Sequence, residues 1–147
     1  MSFKFEITDK DKVISWINML RATRSSLAVA ILLSGDRWSC VDKVVLATNA
    51  DDEIVGISTI ASKGEMGIGQ PTIVALYVLS EYRGLGVGYR LLEATADHMM
   101  STEYQTIHVD VMNSKILHMI NCLSIEKRVL FSIDDQSNDR LDIIIEA

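Results

Sequence analysis

No apolar stretch in this chain is long enough to span a membrane. Apolar runs such as LAVAILL (27–33) and the one within DIIIEA (142–147) fall far short of the roughly 20 residues a spanning helix needs. The first residues, MSFKFEITDKDK, place no apolar segment behind a basic one, so no secretory signal is expected and the expected location is cytoplasmic. Basic excess is also missing. The formal net charge is −6 and the isoelectric point is about 5.0, which argues against a nucleic-acid partner held through phosphates. Cysteine is scarce. Cys40 and Cys122 have no second cysteine at ligand spacing, and His98, His108 and His118 form no zinc signature, so no metal site is expected. The two thiols are expected to be reduced, with Cys122 a small buried hydrophobe in an apolar helical pattern. His98 and His118 are most simply partly exposed helix residues. The single proline, Pro71, closes a glycine-rich loop, and no repeat, linker or low-complexity tract is present.

What remains is an ordinary globular composition, 48% apolar and 23% charged, in 147 residues. That suits one domain, 1–147, with a core of its own. The pattern alternates strands with helices. FKFEIT (3–8) alternates as a strand. Asp9 or Asp11 is placed to cap a helix carrying Val13, Ile14, Ile17 and Leu20 on one side. A second helix over LAVAILL is expected to stop at Gly35 and Asp36, leaving RWSCVDK irregular. VVLATNA (44–50) and IVGISTIAS (54–62) pair as a hairpin across the turn DDE, and TIVALYVL (72–79) is apolar enough to be buried on both faces. A helix then runs to about Met100, QTIHVDVM (105–112) is a strand, SKILHMINCLSIEK (114–127) a helix, and VLFSI and RLDIIIE two closing strands. This predicts a mixed α/β (α+β) domain: a twisted, mostly antiparallel sheet of six or seven strands flanked by about four helices. The apolar closing strand predicts an edge that a homodimer would cover.

Between the buried strand and its helix stands YRGLGVGYR, with Arg83 before Gly84, Gly86 and Gly88. Glycines here let an anion approach the free N–H groups of a helix N-terminus, where the macrodipole adds partial positive charge. A dinucleotide fingerprint would need glycine where Tyr89 stands, and no P-loop lysine follows. The pattern is Arg-x-x-Gly-x-Gly. It is either a cradle for a phosphate or a glycine-rich turn without a ligand.

The stretch ALYVLSEYRGLGVGYRLLEA resembles the acetyl-CoA-binding motif of the GNAT superfamily of N-acetyltransferases, and the element order is similar over most of the chain. The resemblance implies that backbone groups of Leu76, Tyr77 and Val78 meet the pantetheine arm of acetyl-CoA. It also implies that Arg83, Gly84, Leu85, Gly86, Val87, Gly88 and Tyr89 hold the pyrophosphate. A splay between the strands 72–79 and 105–112 would admit the arm, and Asn113 matches a family asparagine that contacts it. Departures fall on the chemistry. The family tyrosine that protonates the thiolate is Ile120 here, and the glycine-phenylalanine after the helix is Ser124-Ile125. The place of one family glutamate base is held by His108, and that of another by Thr72.

An amine nucleophile must lose a proton, and His108 with Asp110, two apart on one strand face, form the candidate base pair. The same two residues also suit a solvated sheet face. Tyr77 or Tyr104 could stand in for the acid, although Tyr77 also suits the core. Trp38 is either an acceptor-site wall or a packing anchor. Glu65, Asp51, Asp52 and Glu53 suit solvated turns. The implied function is acetyl-CoA-dependent transfer to a small-molecule or protein amine, without metal, nucleic acid or membrane. The alternative is a catalytically weak or inactive module that binds or senses acyl-CoA. A structural subunit with an empty loop is a third.

Overall fold

The computed structural model describes residues 2–23, 35–62, 71–100, 106–110, 118, 122, 130–134 and 145–146. In chain order these form β1 (Lys4–Asp9), α1 (Ile14–Thr23), α2 (Gly35–Cys40), β2 (Lys43–Thr48), β3 (Ile54–Ala61), β4 (Thr72–Val78), α3 (Val87–Met100), β5 (Thr106–Asp110), β6 (Leu130–Asp134) and β7 (Ile145–Glu146). Strands β1 to β4 pair antiparallel, each with the next, in one continuous meander. Of the six or seven strands expected, these four form the antiparallel unit. β5 runs parallel to β4, and β6 parallel to β5.

Burial follows from sequence pattern. Every residue of β4 is buried, as its unbroken apolar run requires. Gly56 on β3 has room for α3 because it has no side chain: a Cβ there would meet Leu91 Cδ2 at 3.4 Å and the Tyr77 carbonyl oxygen at 3.1 Å. Gly56 therefore faces α3, and its neighbour Val55 faces the other side of the sheet by strand alternation. That other side is covered by α1, which buries Ile17 and Leu20, with Val13 just before it. α3 buries Val87, Leu91, Leu92, Ala96 and Met99 against the opposite side. The result is a sheet between two helical layers.

Two local expectations are corrected. Asp9 does not cap the first helix. Its carboxylate instead accepts from Lys43 Nζ at 2.5 Å across β1 and β2, and Lys10–Val13 form a 3-10 turn before α1. Gly35 and Asp36 open α2, which takes in residues 37–40 of the stretch expected to be irregular. The reason is tertiary. Lys10 Nζ donates to the Trp38 carbonyl at 3.1 Å and lies 5.6 Å from the Trp38 ring centroid. The expected helix over 27–33 lies outside the described residues. Within the expected helix 114–127, His118 and Cys122 are described and both are helical.

Candidate functional site

The loop after β4 is built as an open cradle. Gly84 has φ +80° and Gly86 φ +81°, the left-handed region that L side chains avoid. A Cβ at either position would have nothing within 4 Å, so the space above this backbone is open to a ligand. Gly86 O accepts from Arg90 N at 3.1 Å, which begins the hydrogen-bond ladder of α3 directly behind the loop. Leu85 stands half exposed at the rim, while Val87 and Gly88 are buried and Tyr89 is half-buried. Glycines at these φ values beside a helix N-terminus fit a pyrophosphate, because they bring N–H donors to an uncovered surface.

Arg83 has a role that its place in the motif does not reveal. Its Nε–H donates to the Val78 carbonyl at 2.8 Å, and its guanidinium carbon lies 5.4 Å from the Tyr77 ring centroid. It ties the loop to the end of β4. Tyr77 itself is only 4% exposed, which places it in the core.

β4 and β5 share two register pairs, Thr72 with His108 and Ile73 with Val109. A register shift lies at the same level on the other edge of β4. Thr59 pairs with Ala75 but Ile60 with Ile73, so Val74 is the extra residue of a bulge. A bulge bends its strand and strengthens its twist, so the bend falls where the described β4–β5 pairing ends. Thr72 and His108, the two positions that the resemblance links to a base, are therefore direct neighbours across this pair. Asp110 follows on β5, opposite Asp134 of β6.

Beyond the bulge, β7 pairs with β4, Ile145 with Leu76 and Glu146 with Tyr77. The edge assigned to the arm by resemblance is thus shared with this dipeptide. Of the closing strand expected to form an edge, residues 145 and 146 are described, and these two pair with β4. Trp38 is half-buried and packs against the core, held by Lys10 as described above. Asn113, Tyr104, Glu65 and Ile120 lie outside the described residues. Cys122 is half-buried rather than buried, with its sulfur 3.6 Å from Nε2 of the exposed His118 one turn earlier. Among the described residues no group of three or more metal-ligating side chains occurs.

A residue the sequence pattern does not mark is Asn49, at the β2–β3 turn. It is 8% exposed. Its Nδ2 donates to Glu53 Oε1 and to Tyr82 Oη, each at 3.1 Å, and its Oδ1 accepts from the backbone N–H groups of Asp51 and Glu53, each at 3.0 Å. Glu53 is thus exposed but positioned, rather than a loose turn charge. The only signal available was an asparagine before two aspartates, a pattern shared by many turns.

A central sheet, helices on both sides, a bulged central strand and an open glycine loop at the start of the following helix make up the described fold. Residues 19–122 match the Acetyltransferase (GNAT) family. The chain belongs to that family. Solved structures share the fold. The aminoglycoside acetyltransferase meta-AAC0020 from an uncultured soil metagenomic sample, in complex with sisomicin, is 17% identical. It aligns over 82% of this chain and 86% of its own, with a TM-score of 0.56. The ribosomal-protein-alanine N-acetyltransferase from Brucella melitensis biovar Abortus 2308 is 14% identical over 93% and 96%, with a TM-score of 0.56. AAC(6')-Iy in complex with the bisubstrate analogue CoA-S-monomethyl-acetylneamine is 12% identical over 86% and 90%, with a TM-score of 0.55. Among curated proteins, none matches the sequence.

Proposed function

We propose that this chain is an acetyl-CoA-dependent N-acetyltransferase acting on a small-molecule or protein amine in the cytoplasm. One observation carries the reading: Gly84 and Gly86 hold left-handed backbone under open space at the start of α3. Solved relatives by fold include enzymes named for aminoglycosides and for a ribosomal protein, which keeps both acceptor classes open. The short strands β5, β6 and β7 are taken as the rest of a six- or seven-stranded sheet, and a homodimer remains part of the proposal.

Backbone N–H groups from Gly84 to Tyr89 hold the pyrophosphate in this reading. The β4 edge at Leu76, Tyr77 and Val78 aligns the arm, with Asn113 as a further contact. Bound there, acetyl-CoA supplies a thioester carbonyl open to attack by an amine. His108 receives the proton that the amine loses, and Asp110 on the same strand face favours the imidazolium. The second reading, acyl-CoA binding without turnover, is kept open by Ile120, which stands where the resemblance expects the tyrosine acid.

Thiol release from acetyl-CoA, measured against a panel of amines, tests the first reading. Release that depends on the amine supports it. Coenzyme A binding by calorimetry without release for any amine selects the second. No binding at all rejects both.

A further inference from the structure

On the side of the sheet away from α3, a cleft of about 410 Å³ opens between α1 and the sheet end formed by the start of β3 and the residues after β4. Its floor is apolar, with Leu20 and Val55. Two walls are aromatic, Trp16 from α1 and Tyr82 from the 3-10 turn after β4. Two carboxylates, Glu53 and Glu81, complete it. Among the described residues that line it, none is Lys, Arg or His.

We infer that this cleft binds an organic cation, a substituted or quaternary ammonium group, at a site distinct from the glycine loop. Glutamates on a surface are ordinarily just solvated, but Glu53 is held in place. The buried Asn49 bridges it to Tyr82 through one amide nitrogen, so a carboxylate and an aromatic ring are oriented together before any ligand arrives. Phe3 fixes the Tyr82 ring from the other direction, edge-on, with centroids 6.1 Å apart. Glu81 accepts from Ser80 Oγ at 2.6 Å.

The chemistry of the lining selects the ligand. Two carboxylates, with no cation among the described lining residues, disfavour anions. Two carboxylates are a poor set for a hard metal ion, which takes six or more oxygen ligands. Aromatic faces and an apolar floor suit a cation with carbon on its surface, attracted to the rings and to the carboxylates at once. The cleft's side of the sheet separates it from α3, and its binding does not depend on acetyl transfer.

Choline and its neutral isostere 3,3-dimethylbutan-1-ol are suitable probes, because they differ chiefly in charge. Saturation-transfer NMR on the whole chain, at fixed ionic strength and without acetyl-CoA, reads binding directly. Choline should bind saturably, and the alcohol at least about tenfold more weakly. Glu53→Gln combined with Glu81→Gln should weaken choline by about tenfold or more while the melting temperature stays close to that of the parent, since both side chains are exposed. In a Trp38→Phe background, choline should also shift the emission of Trp16, the remaining tryptophan. Equal binding of the alcohol, no saturable choline signal, or unchanged affinity in a folded double variant overturns the inference. Loss of acetyltransfer activity would leave all three results unaffected.

Discussion

Gly86 is where backbone geometry bears most directly on the proposed chemistry. At φ +81° any L residue is strained by roughly 1–2 kcal/mol. Gly86→Ala should therefore lower stability by about that amount with only a modest loss of coenzyme A affinity, since the space above it is open. Gly86→Glu adds a carboxylate where phosphate approaches and should weaken binding far more. Calorimetry beside thermal melts separates the two effects, and equal affinity for parent and Gly86→Glu would remove the loop from the site. Ser58 presents a different case. It is fully buried on β3, and its hydroxyl has no hydrogen-bond partner. An unsatisfied buried hydroxyl is destabilising, so Ser58→Ala should be neutral or stabilising by up to about 1 kcal/mol in denaturant unfolding. Most core truncations go the other way; Leu91→Ala would be expected to lose about 2–5 kcal/mol.

His108 bears the chemical prediction at this scale. If it receives the amine's proton, the rate should rise with pH through a single titration that His108→Ala abolishes. His108→Ala should lower turnover roughly 10²-fold and leave coenzyme A affinity nearly unchanged. Two amines of different pKa decide the matter: a profile that follows the amine and ignores residue 108 assigns deprotonation to solvent.

Strand β4 is the element on which the site depends. One edge is occupied by β3 along its length. The other is divided: β5 takes Thr72 and Ile73, and β7 takes Leu76 and Tyr77. The bulge at Val74 separates these two stretches. If the pantetheine arm needs the upper stretch, it must displace residues 145–146. Proline at 145 or 146 removes a backbone donor and should weaken the β7 pairing. Coenzyme A should then bind more tightly to Ile145→Pro or Glu146→Pro than to the parent. Unchanged affinity in both variants would show that β7 and the arm do not compete.

For the whole molecule, the ion pair between Asp9 and Lys43 sets a small pH dependence. The hydrogen bond from Lys43 holds the Asp9 carboxyl below its ordinary range, and Asp9 in turn raises Lys43. Because the folded-state value of Asp9 is depressed, its stabilisation is present above the ordinary carboxylate range and fades as pH falls through the lowered value. For Lys43 the folded value is raised, so its part is complete below the ordinary lysine range and fades as pH rises through the raised value. Both groups are well exposed, so the effect is small. Melting curves of parent and Asp9→Asn should differ slightly near neutral pH and converge in strong acid. A difference that grows on acidification would contradict the pairing.

The sequence by itself determined the parts governed by short-range rules. The buried run of β4, the hairpin of β2 and β3, the apolar faces of α1 and α3, and the need for glycine at positions 84 and 86 all follow from residue type and spacing within a few positions. Tertiary structure decided the rest. Asp9 was free to cap a helix or to pair with Lys43, and only the alignment of β1 with β2 selects the latter. The α2 helix forms around a Trp38 held by Lys10, a contact across 28 residues that no local pattern encodes. Arg83, which the resemblance assigns to the pyrophosphate, also has its Nε directed to the Val78 carbonyl by the turn between them. Above all, the cleft sets Trp16 beside Glu53 and Tyr82, which Asn49 ties together across 33 residues. Such a juxtaposition depends on how elements pack, and packing is set by the whole core rather than by any stretch of the chain.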